Sequence, residues 1–152
     1  MNKRQQGFTL IELLISIVVI GVLAAGSTFF YRDTVGQAKV ALVQDTSRAL
    51  RQNSQLVALM AGARGNLKGA MNQDGEQYTL SSGSLSATEQ NMLMLLGISG
   101  HDWQIEKSGS DELLLRPRGV SEDYAKNCYI RYIQAHDGLA QRIELPDQLA
   151  CG

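Results

Sequence analysis

Gly7 to Leu14 reads G-F-T-L-I-E-L-L, and the apolar run it opens continues to Tyr31. Between Phe8 and Tyr31 the only charged residue is Glu12. A helix needs about 20 apolar residues to span the hydrocarbon core of a bilayer, so this stretch is long enough to cross one. Lys3 and Arg4 lie just before it. The positive-inside rule then keeps the N-terminus in the cytoplasm and sends everything after Tyr31 outward. A carboxylate inside such a segment costs free energy, and its presence points to a partner.

Two plainer readings start from the same residues. A cleaved secretory signal also has a basic start, an apolar centre and small residues, here Ala24, Ala25 and Gly26. Its apolar centre runs to only about 7–15 residues, whereas this one continues through Phe29, Phe30 and Tyr31. A single-pass anchor fits the length but gives Glu12 no role.

The rest of the chain has the size of one domain. Fourteen basic residues face fifteen acidic ones; without Lys3 and Arg4 the count is 12 against 15, a net charge of −3. That mildly acidic body carries no electrostatic footprint for nucleic acid. Cys128 and Cys151 are the two cysteines. Outside the membrane a disulfide is their default state, and two buried thiols are the other option. Without a C-x-x-C pair, a redox motif has little support.

From Arg32 to Met60 the sequence predicts a helix. Val35, Ala38, Leu42, Ala49, Leu50, Leu56, Val57 and Met60 recur near helical spacing, with polar residues between. Joined to the apolar run, this makes one helix of roughly 50 residues, about 75 Å long at 1.5 Å per residue. A small domain cannot bury that length, so the first half needs lipid or other subunits. Ala61 to Gly83, rich in Gly, Asn, Gln and Ser, reads as a connecting loop. Ser86-Ala87-Thr88-Glu89 fits a capping box for a short helix through Met92–Leu96, stopped by Gly97. Strands follow around Trp103 and Ile105, at Glu112 to Arg116, Asn127 to Ala135 and Gln141 to Leu145. The turn signals are Ser108-Gly109-Ser110 and His136-Asp137-Gly138. The expected fold class is α+β: a long N-terminal helix, membrane-spanning then amphipathic, packed on a C-terminal antiparallel sheet of about four strands.

A short basic leader ending in Gly, followed by Phe, Thr, Leu, Ile, Glu, Leu and Leu, closely resembles the cleavage and methylation signal of type IV prepilins and related pseudopilins. The short leader and the Phe after Gly are similar to the type IVa branch. The close resemblance covers about the first 30 residues; beyond them only the layout is similar. It implies three segments: a leader at 1–7, a transmembrane and assembly helix at 8–31, and a periplasmic or extracellular globular domain at 32–152. It also implies cleavage between Gly7 and Phe8 by the prepilin peptidase, N-methylation of Phe8, and an assembly role for Glu12. The function implied is that of a structural subunit, held in the inner membrane and assembled into a filament for adhesion, motility or DNA uptake. Its partners would be other pilin subunits, the lipid bilayer before assembly, and an inner-membrane assembly platform. By the same resemblance, Cys128 to Cys151 looks like the disulfide loop that staples the C-terminal edge in pilins.

One position departs from the pattern. Main pilin subunits commonly have Pro about 21 residues after the mature Phe, and here that position is Phe29. The departure favours a minor pilin over a main shaft subunit. A type II secretion pseudopilin and a membrane-anchored or secreted binding domain remain as alternatives.

No enzyme is expected, and no cofactor or metal. His101 and His136, each beside an Asp, are the only histidines and read as surface residues. Phosphate-cradling Gly loops and nucleophile elbows are absent from the sequence. Tyr124, Tyr129 and Tyr132, near Lys126 and Arg131, are residue types that stack on a nucleic-acid strand. Strands ordinarily carry Tyr for packing, so nucleic acid is an unlikely partner by this reading.

Overall fold

A computed structural model of the chain describes residues 9–73 and 75–152. Between Val35 and Gly36 the chain divides into two compact units. Helix α1 covers Leu10–Ala63, and its last 28 residues, from Gly36 on, belong to the second unit.

Within that unit the buried face of α1 is centred on Gly36, Val43, Ser47, Leu50, Ser54, Val57 and Ala61, with buried Thr46 at its margin. With half-buried Val40 the spacing alternates four and three, which keeps one face of a helix turned inward. Leu42 and Leu56, counted in the expected apolar stripe, are exposed instead. Small residues take inward positions because they let the backbone of the domain come close. At Gly36 this is explicit: a Cβ there would lie 2.8 Å from the carbonyl oxygen of Gly152.

The Ala61–Gly83 segment is not only a loop. After α1 it forms strands β1 (Gly69–Gln73) and β2 (Glu76–Ser81), which with β3 (Ser84–Leu85) make a three-stranded sheet in the order β1-β2-β3. Pairing is antiparallel, with Met71 opposite Tyr78 and Leu80 opposite Leu85. Met71, Tyr78 and Leu80 alternate inward, and their neighbours are polar or small, so the apolar count alone missed the strands. The Asp74-Gly75 pair was the available hairpin signal.

Helix α2 (Glu89–Leu96) is capped by Thr88, not Ser86: the Thr88 hydroxyl accepts from the Asn91 N–H. Ser86 is committed elsewhere, since its N–H donates to Thr79 and extends the β2–β3 pairing. Gly97 ends the helix in the left-handed conformation, φ 61°, as expected.

The expected four-stranded antiparallel sheet follows: β4 (Trp103–Lys107), β5 (Glu112–Pro117), β6 (Ile130–Ile133) and β7 (Arg142–Glu144), in that spatial order. A single turn, α3 (Glu122–Ala125), lies between β5 and β6. Trp103, Leu113, Leu115, Ile130, Tyr132 and Ile143 bury on the inner face with Val43, Leu50 and Val57 of α1 and Met92 of α2, forming one core. Charged residues fill the outer face, where Glu106–Arg116 and Glu112–Arg131 pair at 3.0 and 3.1 Å. The turn read at His136-Asp137-Gly138 is present. Asp137 and Gly138 have φ of 47° and 82°, and His136 and Leu139 bond across it, as a two-residue type I′ loop requires.

Candidate functional site

Glu12 sits in the first turn of α1. Thr9, just before the helix, begins the ladder by accepting from the Leu13 N–H at 3.2 Å. Its hydroxyl accepts from the Glu12 N–H at 3.4 Å. In return the Glu12 carboxylate accepts from the Thr9 N–H at 2.9 Å and the Thr9 hydroxyl at 2.8 Å, both at Oε2. This is a reciprocal capping box, Thr9-Leu10-Ile11-Glu12, which satisfies N–H groups that a helix start leaves open. Sequence reasoning missed the part Thr9 plays, although a T-x-x-E spacing before an apolar run was its signal.

The other carboxylate oxygen, Oε1, takes no hydrogen bond among the described residues. Glu12 is therefore fixed at the helix start, with one oxygen that no described residue takes up. A positive amine is the donor that best matches an anion beside an apolar segment. Gly7 and Phe8, which carry the cleavage and methylation reading, lie outside the described residues.

From Leu10 to Ser27 the helix is apolar and long enough to cross a membrane. Its large side chains are all exposed, from Leu10 at 86% to Val19 at 50%. Ser16 and Ser27 do not break this surface, because each hydroxyl donates back to a carbonyl of its own helix, Glu12 at 2.7 Å and Ala24 at 2.9 Å. A helix that is apolar on every side and covered on none needs lipid or protein around it.

Cys128 and Cys151 form a disulfide, with Cα atoms 5.0 Å apart, and both are buried. It ties the segment before β6 to the C-terminal segment, alongside a bond from the Ala150 N–H to the Asn127 carbonyl.

Tyr132 leaves the candidate stacking set: it is fully buried, and its hydroxyl donates to the Leu85 carbonyl at 2.6 Å. Tyr129 packs under the Arg131 guanidinium, 5.6 Å from the ring centre, and Tyr124 is exposed. His101 is exposed and His136 belongs to the hairpin turn. Among the described residues no cluster of three or more His, Cys, Asp or Glu is placed to hold a metal.

The prokaryotic N-terminal methylation motif matches residues 2–28. The type IV major pilin protein PilE of Neisseria gonorrhoeae is 50% identical over 40 residues, and so is the fimbrial protein of Neisseria meningitidis serogroup B. Each match covers 26% of this chain and 24% of the relative, so it spans about a quarter of the relatives' length. No solved structure matches the chain significantly. The motif, the uncovered apolar helix and these relatives agree on one segment: the N-terminal quarter of the chain is similar to that of type IV pilins and carries their methylation motif.

Proposed function

We propose that the chain is a structural subunit of a type IV pilus, of the minor kind, and works by assembly rather than catalysis. It is made with a leader, residues 1–7, which the prepilin peptidase removes between Gly7 and Phe8. Phe8 is then N-methylated. Residues 8–31 hold the subunit in the inner membrane with the domain 32–152 on the far side, until the assembly platform moves it into a filament of pilin subunits. Phe29, where main subunits commonly have Pro, supports the minor role.

The observation that carries this reading is Glu12, the only carboxylate in the uncovered apolar helix Leu10–Ser27, held by Thr9 with Oε1 open. Removal of the leader creates a positive α-amine on Phe8. In an apolar filament core an unpaired charge is heavily penalised, whereas a carboxylate and an amine from neighbouring subunits neutralise each other. That pairing sets the axial register of an incoming subunit. Glu12→Val should therefore leave processed protein in the membrane and absent from sheared filaments; normal incorporation sinks the role. Mass spectrometry of the N-terminus should find methylated Phe8, and a start near Gly26 or an intact Met1 contradicts the processing.

A further inference from the structure

A groove of about 700 Å3 runs between α1 and β7 within the Gly36–Gly152 unit. Ser54, Ala58 and Leu59 line one wall; Ala140, Gln141 and Ile143 line the other. Leu59 is 72% exposed, a large apolar side chain with little covering it.

The open edge of β7 lies on this side. Gln134 donates its N–H to the Asp111 carbonyl, so alternation turns Tyr132 toward β5 and Arg131 and Ile133 toward β7. Their partners Glu144 and Arg142 face back, which leaves the Ile143 N–H and C=O pointing away from the sheet. That carbonyl accepts from Arg51 Nη2 at 3.0 Å. Arg51 is exposed and has no carboxylate within 4 Å among the described residues. Beside it, Arg142 shares Glu144 with Arg131, each at 3.8 Å. The mouth of the groove thus has more guanidinium than carboxylate.

We infer that the groove takes an extended acidic segment of a partner protein, added as a strand on the edge of β7, with a carboxylate of that segment held by Arg51. An incoming backbone N–H needs the Ile143 carbonyl, and taking it displaces Arg51. The guanidinium then requires a new acceptor. A carboxylate supplies a two-point ion pair in exchange for a single bond to an uncharged carbonyl, while a basic segment adds repulsion. Apolar side chains of the same segment cover Leu59 and Ala58. Without such a partner, Arg51 guards the edge against unwanted strand pairing. The inference concerns the Gly36–Gly152 unit and does not rest on filament assembly.

The test uses the full chain in detergent and two blocked, fluorescein-labelled peptides, Val-Glu-Val-Glu-Val and Val-Lys-Val-Lys-Val, read by anisotropy. The acidic peptide should bind roughly tenfold or more tightly than the basic one. Arg51→Gln should abolish that preference. Gln55→Glu, an exposed change in the groove lining, should shift it toward the basic peptide, with Trp103 fluorescence unchanged as the check on folding. The inference is overturned by equal binding, by no binding, or by a preference that survives both substitutions. Self-association of the chain that Gln55→Glu abolishes, without acidic-peptide binding, assigns the groove to a second copy and overturns it as well.

Discussion

Tyr132 is where buried polarity meets the core. Its hydroxyl donates to the Leu85 carbonyl at 2.6 Å and lies 3.3 Å from Gln141 Oε1, while Gln141 donates to the Ser54 hydroxyl at 3.1 Å. One side chain on β6 thereby links β3, the approach to β7 and α1. Burial pushes its phenol well above the usual value, and a side-chain bond to Ser84 opposes this in part. An unfolded tyrosine ionises near pH 10, about its ordinary value. The folded pKa is the higher one, so the stabilisation is complete below about pH 10 and declines as pH rises beyond it. Tyr132→Phe should cost about 1–2 kcal/mol at neutral pH, since it strands a buried carbonyl. It should also give a shallower fall in stability above pH 10 than the native chain, measured by urea unfolding across pH. An equal fall in both proteins removes Tyr132 as the cause. None of this was legible beforehand: among the three tyrosines between 124 and 132, sequence did not say which one the sheet turns inward.

At the scale of elements, the small sheet depends on a side chain that acts as a strand. Thr79 on β2 turns its N–H and C=O toward α2, where the Asn91 amide answers both, accepting from the N–H at 3.0 Å and donating to the C=O at 2.9 Å. Asn91 also donates to the Ser86 carbonyl at 2.9 Å and is almost fully buried. Asn91→Ala should therefore cost about 1–3 kcal/mol, because it leaves the Thr79 N–H without its acceptor, while the Thr79 and Ser86 carbonyls keep the N–H groups of Ser86 and Thr88. Asn91→Asp should be at least as costly, since a carboxylate cannot donate to either carbonyl. Thermal unfolding with the disulfide intact measures both, and a loss below about 0.5 kcal/mol, the scale of an ordinary surface change, contradicts the role. The open edge of β1 is covered in another way: Asn66 and Arg64 donate to its Ala70 and Asn72 carbonyls at 3.0 and 3.2 Å. Such caps depend on where a chain returns in space, which explains why 61–83 read as a loop. The strands of the larger sheet were legible because Ile, Trp and Tyr in β4, β6 and β7, and a Leu run in β5, lie between clear turn signals.

At the scale of the whole molecule, the Cys128–Cys151 bridge closes a loop with a sequence separation of 23. The chain-entropy argument assigns about 3.5 kcal/mol to a loop of that length. Replacing both cysteines with alanine should lower the unfolding free energy by about 2–4 kcal/mol while leaving membrane insertion unchanged, because insertion depends on the apolar helix. Urea unfolding and membrane fractionation of the same variant separate the two, and loss of insertion contradicts that division. The sequence by itself determined the membrane-length helix, the methylation motif with Glu12, and the four-strand sheet. Each rests on local pattern: composition over one span, residue types at fixed spacing, or period-two alternation. Only the tertiary structure decided that Gly36, Val43, Ser47 and Ser54, and not Leu42 and Leu56, join Leu50 and Val57 on the inner face of α1. It also decided that Tyr132 belongs to the core, that Asn91 completes a sheet, and that Arg51 stands at an open strand edge. Those outcomes depend on which distant backbone groups meet, and the need to satisfy every buried donor and acceptor selects among them.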